Sequence, residues 1–162
     1  LKQADAITFF TFDRPPTPTP SRSVVHLVVR AFRLPPWNEN LTIPKARYIL
    51  KEEYAKPYFQ AVFVYRYCAL VGVALAAKKI ISGIKPHFWI NTLCVDPAFQ
   101  GRGIGGALTR KIVEVARAQS VESVRLSTMA GSPAAALYEK VGFEPISLPR
   151  MGTRQQVMRL RL

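Results

Sequence analysis

At 162 residues, 49% of them hydrophobic, the chain is long enough for one domain with a substantial core and short for two. Lys and Arg outnumber Asp and Glu by 23 to 10. The net charge of +13 favours anionic partners and argues against a surface built for strongly cationic ones.

Ile7 to Phe12 (ITFFTF) is a β-rich run, stopped by the Pro/Thr tract 15–20, which is too brief to separate domains. Ser21 or Ser23 suits the cap of a helix reaching Phe32, with Val24, Val25, Val28, Ala31 and Phe32 as its apolar stripe. Pro35-Pro36 breaks the chain, and a second helix is expected from Pro44 to about Lys56. Ala61 to Tyr67 and Leu70 to Ala77 read as a tight hairpin, Ile80 to Lys85 as a loop or short extension, and Phe88 to Val95 as a strand. Ala107 to Ala118 is amphipathic at helical spacing. Val124 to Met129 reads as a strand and Pro133 to Val141 as a helix stopped by Gly142. Gln156 to Leu162 reads as a half-buried last strand.

No apolar run reaches the ~18 residues that cross a bilayer. The nearest, Cys68 to Ala77, ends in Lys78-Lys79. Nothing at the start of the chain reads as a signal peptide, although a chain beginning at Leu1 has room for a lost start. Cys68 and Cys94 lie in apolar surroundings without histidine neighbours, which gives no zinc site and points to a reducing, cytoplasmic setting. The basic residues are spread without a block of five or six. Nucleic acid therefore stays a secondary alternative, testable by its salt dependence.

The segment 94–106, CVDPAFQGRGIGG, carries the most chemistry. A strand halts at Asp96-Pro97, and Gln100, Gly101, Arg102, Gly103, Ile104, Gly105 and Gly106 lead into a helix. Strand, glycine loop and helix together aim backbone N–H groups and the positive end of a helix at an anion. Glycines allow positive φ and close approach of a phosphate, so the segment reads as a pyrophosphate cradle. Gly101, Gly103 and Gly106 formally satisfy G-x-G-x-x-G. A dinucleotide loop, however, belongs on the first strand of a βαβ unit, and no Gly-Lys-Ser/Thr follows for a Walker A loop.

The segment instead resembles the GNAT acetyltransferase superfamily, whose signature Gln/Arg-x-x-Gly-x-Gly/Ala follows a strand ending in Val-Asp-Pro. Gln100, Gly103 and Gly105 stand at the signature positions. Ala135 to Glu144 (AALYEKVGFE) resembles the family's Ala-x-x-Leu-Tyr-x-x-x-Gly-Phe, about 35 residues downstream. The likeness extends from about Phe59 to Phe143 and is weak before and after it. It implies a single domain over 1–162 with a mixed, mostly antiparallel α/β (α+β) sheet. Six or seven strands, a splayed parallel pair and about four helices are expected.

The resemblance further implies acetyl-CoA as acyl donor, its pantetheine arm on the backbone of Leu93, Cys94 and Val95. Gly101 to Gly106 would hold its pyrophosphate, with Arg102, Arg110 or Lys111 near its 3′-phosphate. Tyr138 falls on the family's general-acid tyrosine; its bland alternative is packing beside Ala134, Leu137 and Val141. Where many members place an Asn, seven residues before the Tyr, this chain has Gly131, so Ser132 is the expected substitute. The family's carboxylate positions are Asn91 on one strand and Leu126 or Ser127 on the next. His87, Glu52 and Glu53, or a water wire, are the remaining routes for the amine proton. The acceptor amine is expected between the first two helices, the strand 88–95 and the C-terminal hairpin. Trp37, Asn38, Glu39, Tyr48, Trp89 and Tyr138 are candidates for its walls. A homodimer is compatible with all of this, as is a silent acyl-CoA-binding module of the same fold.

Overall fold

The computed structural model describes residues 7–35 and 37–162. In chain order the elements are β1 (Ile7–Phe12), α1 (Arg22–Arg33), α2 (Ile43–Tyr54), β2 (Phe59–Arg66), β3 (Ala69–Ile81) and β4 (Ile84–Val95). A short 3-10 turn (Pro97–Phe99) precedes α3 (Ile104–Arg117), β5 (Ser123–Met129), α4 (Pro133–Val141), β6 (Glu144–Pro145) and β7 (Gln155–Arg161). The seven strands form one sheet in the order β1-β2-β3-β4-β5-β7-β6. All neighbours are antiparallel except β4 and β5.

Both faces of the central strands are buried, which is why the β2 and β3 segments read as continuous apolar runs rather than alternating ones. Val62, Val64, Ala74 and Ala76 pack toward α3, with Phe88, Ile90, Val124, Leu126 and Met158. Ala61, Phe63, Val73 and Leu75 alternate with them and pack toward α1 and α2, where Leu27, Leu50 and Tyr54 complete a second core. Ser21 caps α1 through Val24 N–H, and Thr42 caps α2 through Lys45 N–H.

Three boundaries differ from the sequence reading. Residues 80–85 form the extension rather than the loop. β3 and β4 continue to an Ile81–Ile84 pair around Ser82-Gly83, with Gly83 at φ +76°. Ile80, Ile81 and Ile84 are exposed, so no burial alternation marks this extension. Second, α3 begins at Ile104, three residues before the expected Ala107, so the last glycines of the loop are already helical. Third, β6 is a two-residue strand against Arg159 and Met158, too short to read from sequence.

Two irregularities shape the middle of the sheet. Ala76 pairs with Ile90 and Leu75 with Thr92, which leaves Asn91 as an extra residue, a bulge in β4. The parallel pairing of β4 with β5 ends at Ile90–Leu126, although the strands run on to Val95 and Met129. The two strands therefore part where the bulge bends one of them. Beyond it, Leu93 and Val95 pack on the α3 side and Cys94 on the α1–α2 side.

Candidate acyl-donor cleft

A cleft of about 430 Å³ opens where β4 and β5 separate. Leu93, Cys94 and Val95 line it from the strand, and Gln100, Gly101, Gly103, Ile104 and Gly105 from the loop and the first turn of α3. Tyr138, Leu137, Ala134 and Pro133 line it from α4. Nine of the twelve residues expected to bind the donor or act in catalysis thus meet in one place. Past Ile90 the side of β4 facing β5 has no strand partner, so main-chain groups there are open to an extended ligand.

The first turn of α3 is built to leave its donors open. Gly103, the N-cap, is left-handed at φ +78° and provides no side-chain cap. Its carbonyl accepts from Ala107 N–H at 3.1 Å, whereas the N–H groups of Ile104, Gly105 and Gly106 lack partners within the helix. Gly101 is also left-handed, at φ +75°, and open space surrounds the Cβ position of both glycines. This donor set, at the positive end of a 14-residue helix, fits a pyrophosphate.

Several expected roles change. A Cβ on Gly105 would stand 3.0 Å from Leu137 Cδ1, so this glycine also permits α3 to approach α4 while its backbone lines the cleft. Gly106 does not line the cleft; the Arg110 guanidinium lies over it, 3.3 Å from where its Cβ would be. Arg102 is exposed and sits against the Phe99 ring, 5.6 Å from its centroid. Gln100 reaches back to the Val95 carbonyl through Nε2 at 3.0 Å and so closes the loop onto the strand. Ser132 is buried away from the cleft lining, and its Oγ accepts from Ala135 N–H at 3.1 Å. It is engaged as the N-cap of α4.

The candidate bases lie elsewhere. His87 pairs with Ser123 at the opposite end of the parallel pair, six residues from Leu93, or roughly 20 Å along the strand. Burial, then Arg125, hold its imidazole below the usual range, against the opposing pull of the Lys85 carbonyl. Glu53 is bonded to Lys56 at 2.6 Å and Glu52 is exposed on α2. Among the described residues, no carboxylate or imidazole lines the cleft. Of the expected acceptor walls, Trp37 and Tyr138 line it, while Asn38, Glu39, Tyr48 and Trp89 do not.

Sequence reasoning missed the wall from α1. Ala31, Phe32 and Pro35 line the cleft, and the Phe32 and Trp37 rings meet at 5.6 Å. Asp96 holds this wall in place, accepting from Arg30 Nε at 3.2 Å while its other oxygen caps Ala98 N–H at 3.0 Å. Burial raises the Cys94 thiol to about 12, with Asp96 adding to the effect. Burial, then Cys94, push the Tyr138 phenol above its ordinary value. Both side chains are therefore protonated at neutral pH.

The family model described as an acetyltransferase (GNAT) domain matches residues 60–145, a little over half of the chain, and the chain belongs to this family. It is 45% identical over 60 residues to mycothiol acetyltransferase of Beutenbergia cavernae, a stretch covering 36% of this chain and 20% of that one. Over 65 residues it is 45% identical to N-alpha-acetyltransferase RimI of Mycobacterium tuberculosis, covering 40% and 39% respectively. The matches thus span well under two thirds of either relative. A solved GNAT-family structure from Desulfovibrio desulfuricans superposes with a TM-score of 0.74 at 17% identity, covering 96% of this chain and 99% of that one. That likeness speaks to the fold. Among the described residues, no helix is long and apolar enough to cross a membrane, and no cluster of three metal-ligating side chains occurs.

Proposed function

We infer that the chain transfers an acetyl group from acetyl-CoA to a primary amine by direct attack in a ternary complex. One observation carries this reading: an open helix N-terminus, an unpaired strand edge and a protonated tyrosine share a single cleft. Acetyl-CoA, when bound, supplies an acyl group activated as a thioester with a thiolate to leave.

The side of β4 beyond Ile90 would take the pantetheine arm through main-chain groups, and the N–H groups of Ile104, Gly105 and Gly106 would take the pyrophosphate. Arg110, folded over the first turn of α3, adds positive charge there. The backbone N–H of Val95, which alternation turns away from β3 toward the unpaired side of β4, is the donor for the oxyanion. Tyr138 presents its hydroxyl to the departing sulfur. Its raised pKa makes complete proton transfer to a thiolate uphill, so its main contribution is a hydrogen bond that stabilises developing charge.

Without a side-chain base in the cleft, the amine proton leaves through water. An α-amine, with a pKa of about 7.7–8.0, is neutral in a far larger fraction at pH 7 than a lysine side chain near 10.4. We therefore favour an α-amino acceptor. The free thiols Cys68 and Cys94 fit a reducing, cytoplasmic setting.

The same base-free cleft motivates a second reading, an acyl-CoA-binding module without turnover. Calorimetric titration with acetyl-CoA, with NAD and ATP as controls, tests the cofactor. Thiol release with free-N-terminus peptides then tests the reaction. Selective binding with release supports transfer, selective binding without release across amines selects the silent module, and no selective binding overturns both.

A further inference from the structure

Helices α1 and α2 bury residues of β2, β3 and the end of β4, and among the described residues their core includes none from β5 or β7. Val124 and Leu126 of β5, and Met158 of β7, turn to the other face. Their neighbours Arg125 and Arg159 therefore share the face that α1 and α2 leave open.

These two arginines are Cα partners in the β5–β7 ladder. On its other side Arg125 is the register partner of Trp89, in the next-to-last pair before β4 and β5 part. Like charges directly opposed across a ladder are destabilising. Here the opposition is only partly relieved. Glu144 accepts from Arg159 at 3.0 Å, Arg125 Nε reaches the Ser123 hydroxyl at 3.4 Å, and Arg159 Nε is buried without a hydrogen-bond partner. Lys79, its ammonium 4.4 Å from the Trp89 ring centroid, extends the positive character past β4.

We propose that this face receives the acidic N-terminal segment of a polypeptide acceptor, with Arg125 and Arg159 binding a carboxylate at its second to fourth residue while the α-amine enters the gap between β4 and β5. The proposal deepens the transfer reading and rests on it. Distance fixes the position: Arg125 lies one residue before the last parallel pair, so a chain laid along the strands at ~3.3 Å per residue meets it within two or three residues of the amine. Trp89, Arg125 and Arg159 are partly exposed and lie outside the cleft, which suits an extended peptide rather than an enclosed small molecule. Arginine's planar fork takes an oxyanion bidentately, and two neighbouring arginines without a longer basic track match a single carboxylate rather than a run of phosphates.

The test uses the whole chain saturated with CoA, the CoA binding being measured separately by calorimetry. Two hexapeptides with free N-terminal alanine and a neutral C-terminal coumarin carry either Glu or Gln at positions two to four. Fluorescence anisotropy should show the Glu peptide binding at least about tenfold more tightly, and acetyl transfer should show the same preference in KM rather than kcat. Arg125→Gln should remove the preference by weakening the Glu peptide alone, and Arg125→Lys should restore part of it. Equal binding of the two peptides to CoA-loaded protein overturns the proposal and leaves the transfer reading intact, as does equal weakening of both by Arg125→Gln. Displacement of the Glu peptide by single-stranded RNA with a salt slope of several charges assigns the face to nucleic acid and likewise overturns it. Loss of CoA binding itself marks failure of the underlying reading instead.

Discussion

Helices α3 and α4 both begin at the cleft, and they begin in opposite ways. α4 closes its own first turn, with Ser132 Oγ on Ala135 N–H and Pro133 following as a residue that has no donor to satisfy. α3 starts on a left-handed glycine with no side-chain cap. One helix is self-sufficient, whereas the other is complete only with an external acceptor for its N–H groups. A residue at a helix start can thus serve the fold or leave room for a ligand, and these two starts divide the roles between them.

The largest test of that division is Gly103→Val. A β-branched residue at φ +78° costs about 1–2 kcal/mol and fills space now open above the loop. Calorimetry should show acetyl-CoA affinity falling by about 100-fold, which is about 2.7 kcal/mol, with the fold preserved by circular dichroism. Unchanged affinity would make α3 an ordinary helix start.

Gly105→Ala probes the packing of α3 against α4 instead. Its new methyl meets Leu137 Cδ1 at 3.0 Å, and that crowding, offset by the ~0.5–1 kcal/mol that alanine gains over glycine in a helix, should lower stability by up to about 2 kcal/mol in denaturant unfolding. A Leu137→Ala background should absorb much of that loss, which a purely ligand-facing glycine would not allow.

Ser132→Ala should cost about 1 kcal/mol of stability and leave acetyl-CoA affinity within about threefold. A large affinity loss would return Ser132 to the role its sequence position suggests and erase the contrast between the helices.

The smallest effect at neutral pH comes from the strand between them. The Cys94 thiol ionises from 9.0 in its unperturbed state and about 12 in the fold, so the folded form holds its proton longer. Its contribution is complete below pH 9 and declines from there toward pH 12. By linkage the unfolded chain gives up this proton first, so unfolding free energy falls as pH rises through that window. Cys94→Ala should flatten unfolding free energy against pH over that window. A thiol reagent at pH 8 should label exposed Cys68 rapidly and Cys94 slowly.

Local chemistry makes much of this legible in the amino-acid order alone. The loop from Gln100 to Gly106 and the helix from Pro133 to Val141 announce themselves through residues adjacent in sequence. The α1 wall does not: Arg30 and Asp96 are 66 positions apart, and nothing local says that they pair. Gly105 resembles its neighbours in composition, and only the approach of Leu137 separates its role from theirs. The extension of β3 and β4 is hidden because an exposed two-stranded ribbon has no buried face to impose alternation.

Asn91 sets a phase as well as a bend. Ile90 and Leu93 point to the same side of the sheet although three positions separate them, because the bulge takes up one residue without turning the chain over. If the strand kept all its residues and ran regularly, strict alternation would drive Cys94 into the α3 core and turn Leu93 and Val95 toward α1. The bulge is therefore obligatory for this sequence. Deleting Asn91 has the reverse effect: every later side chain keeps its side, but the strand loses its reason to bend. A straightened β4 could go on pairing with β5 past Ile90, and the cleft would zip shut. One surplus residue works as a wedge, holding open the seam on which the cleft depends.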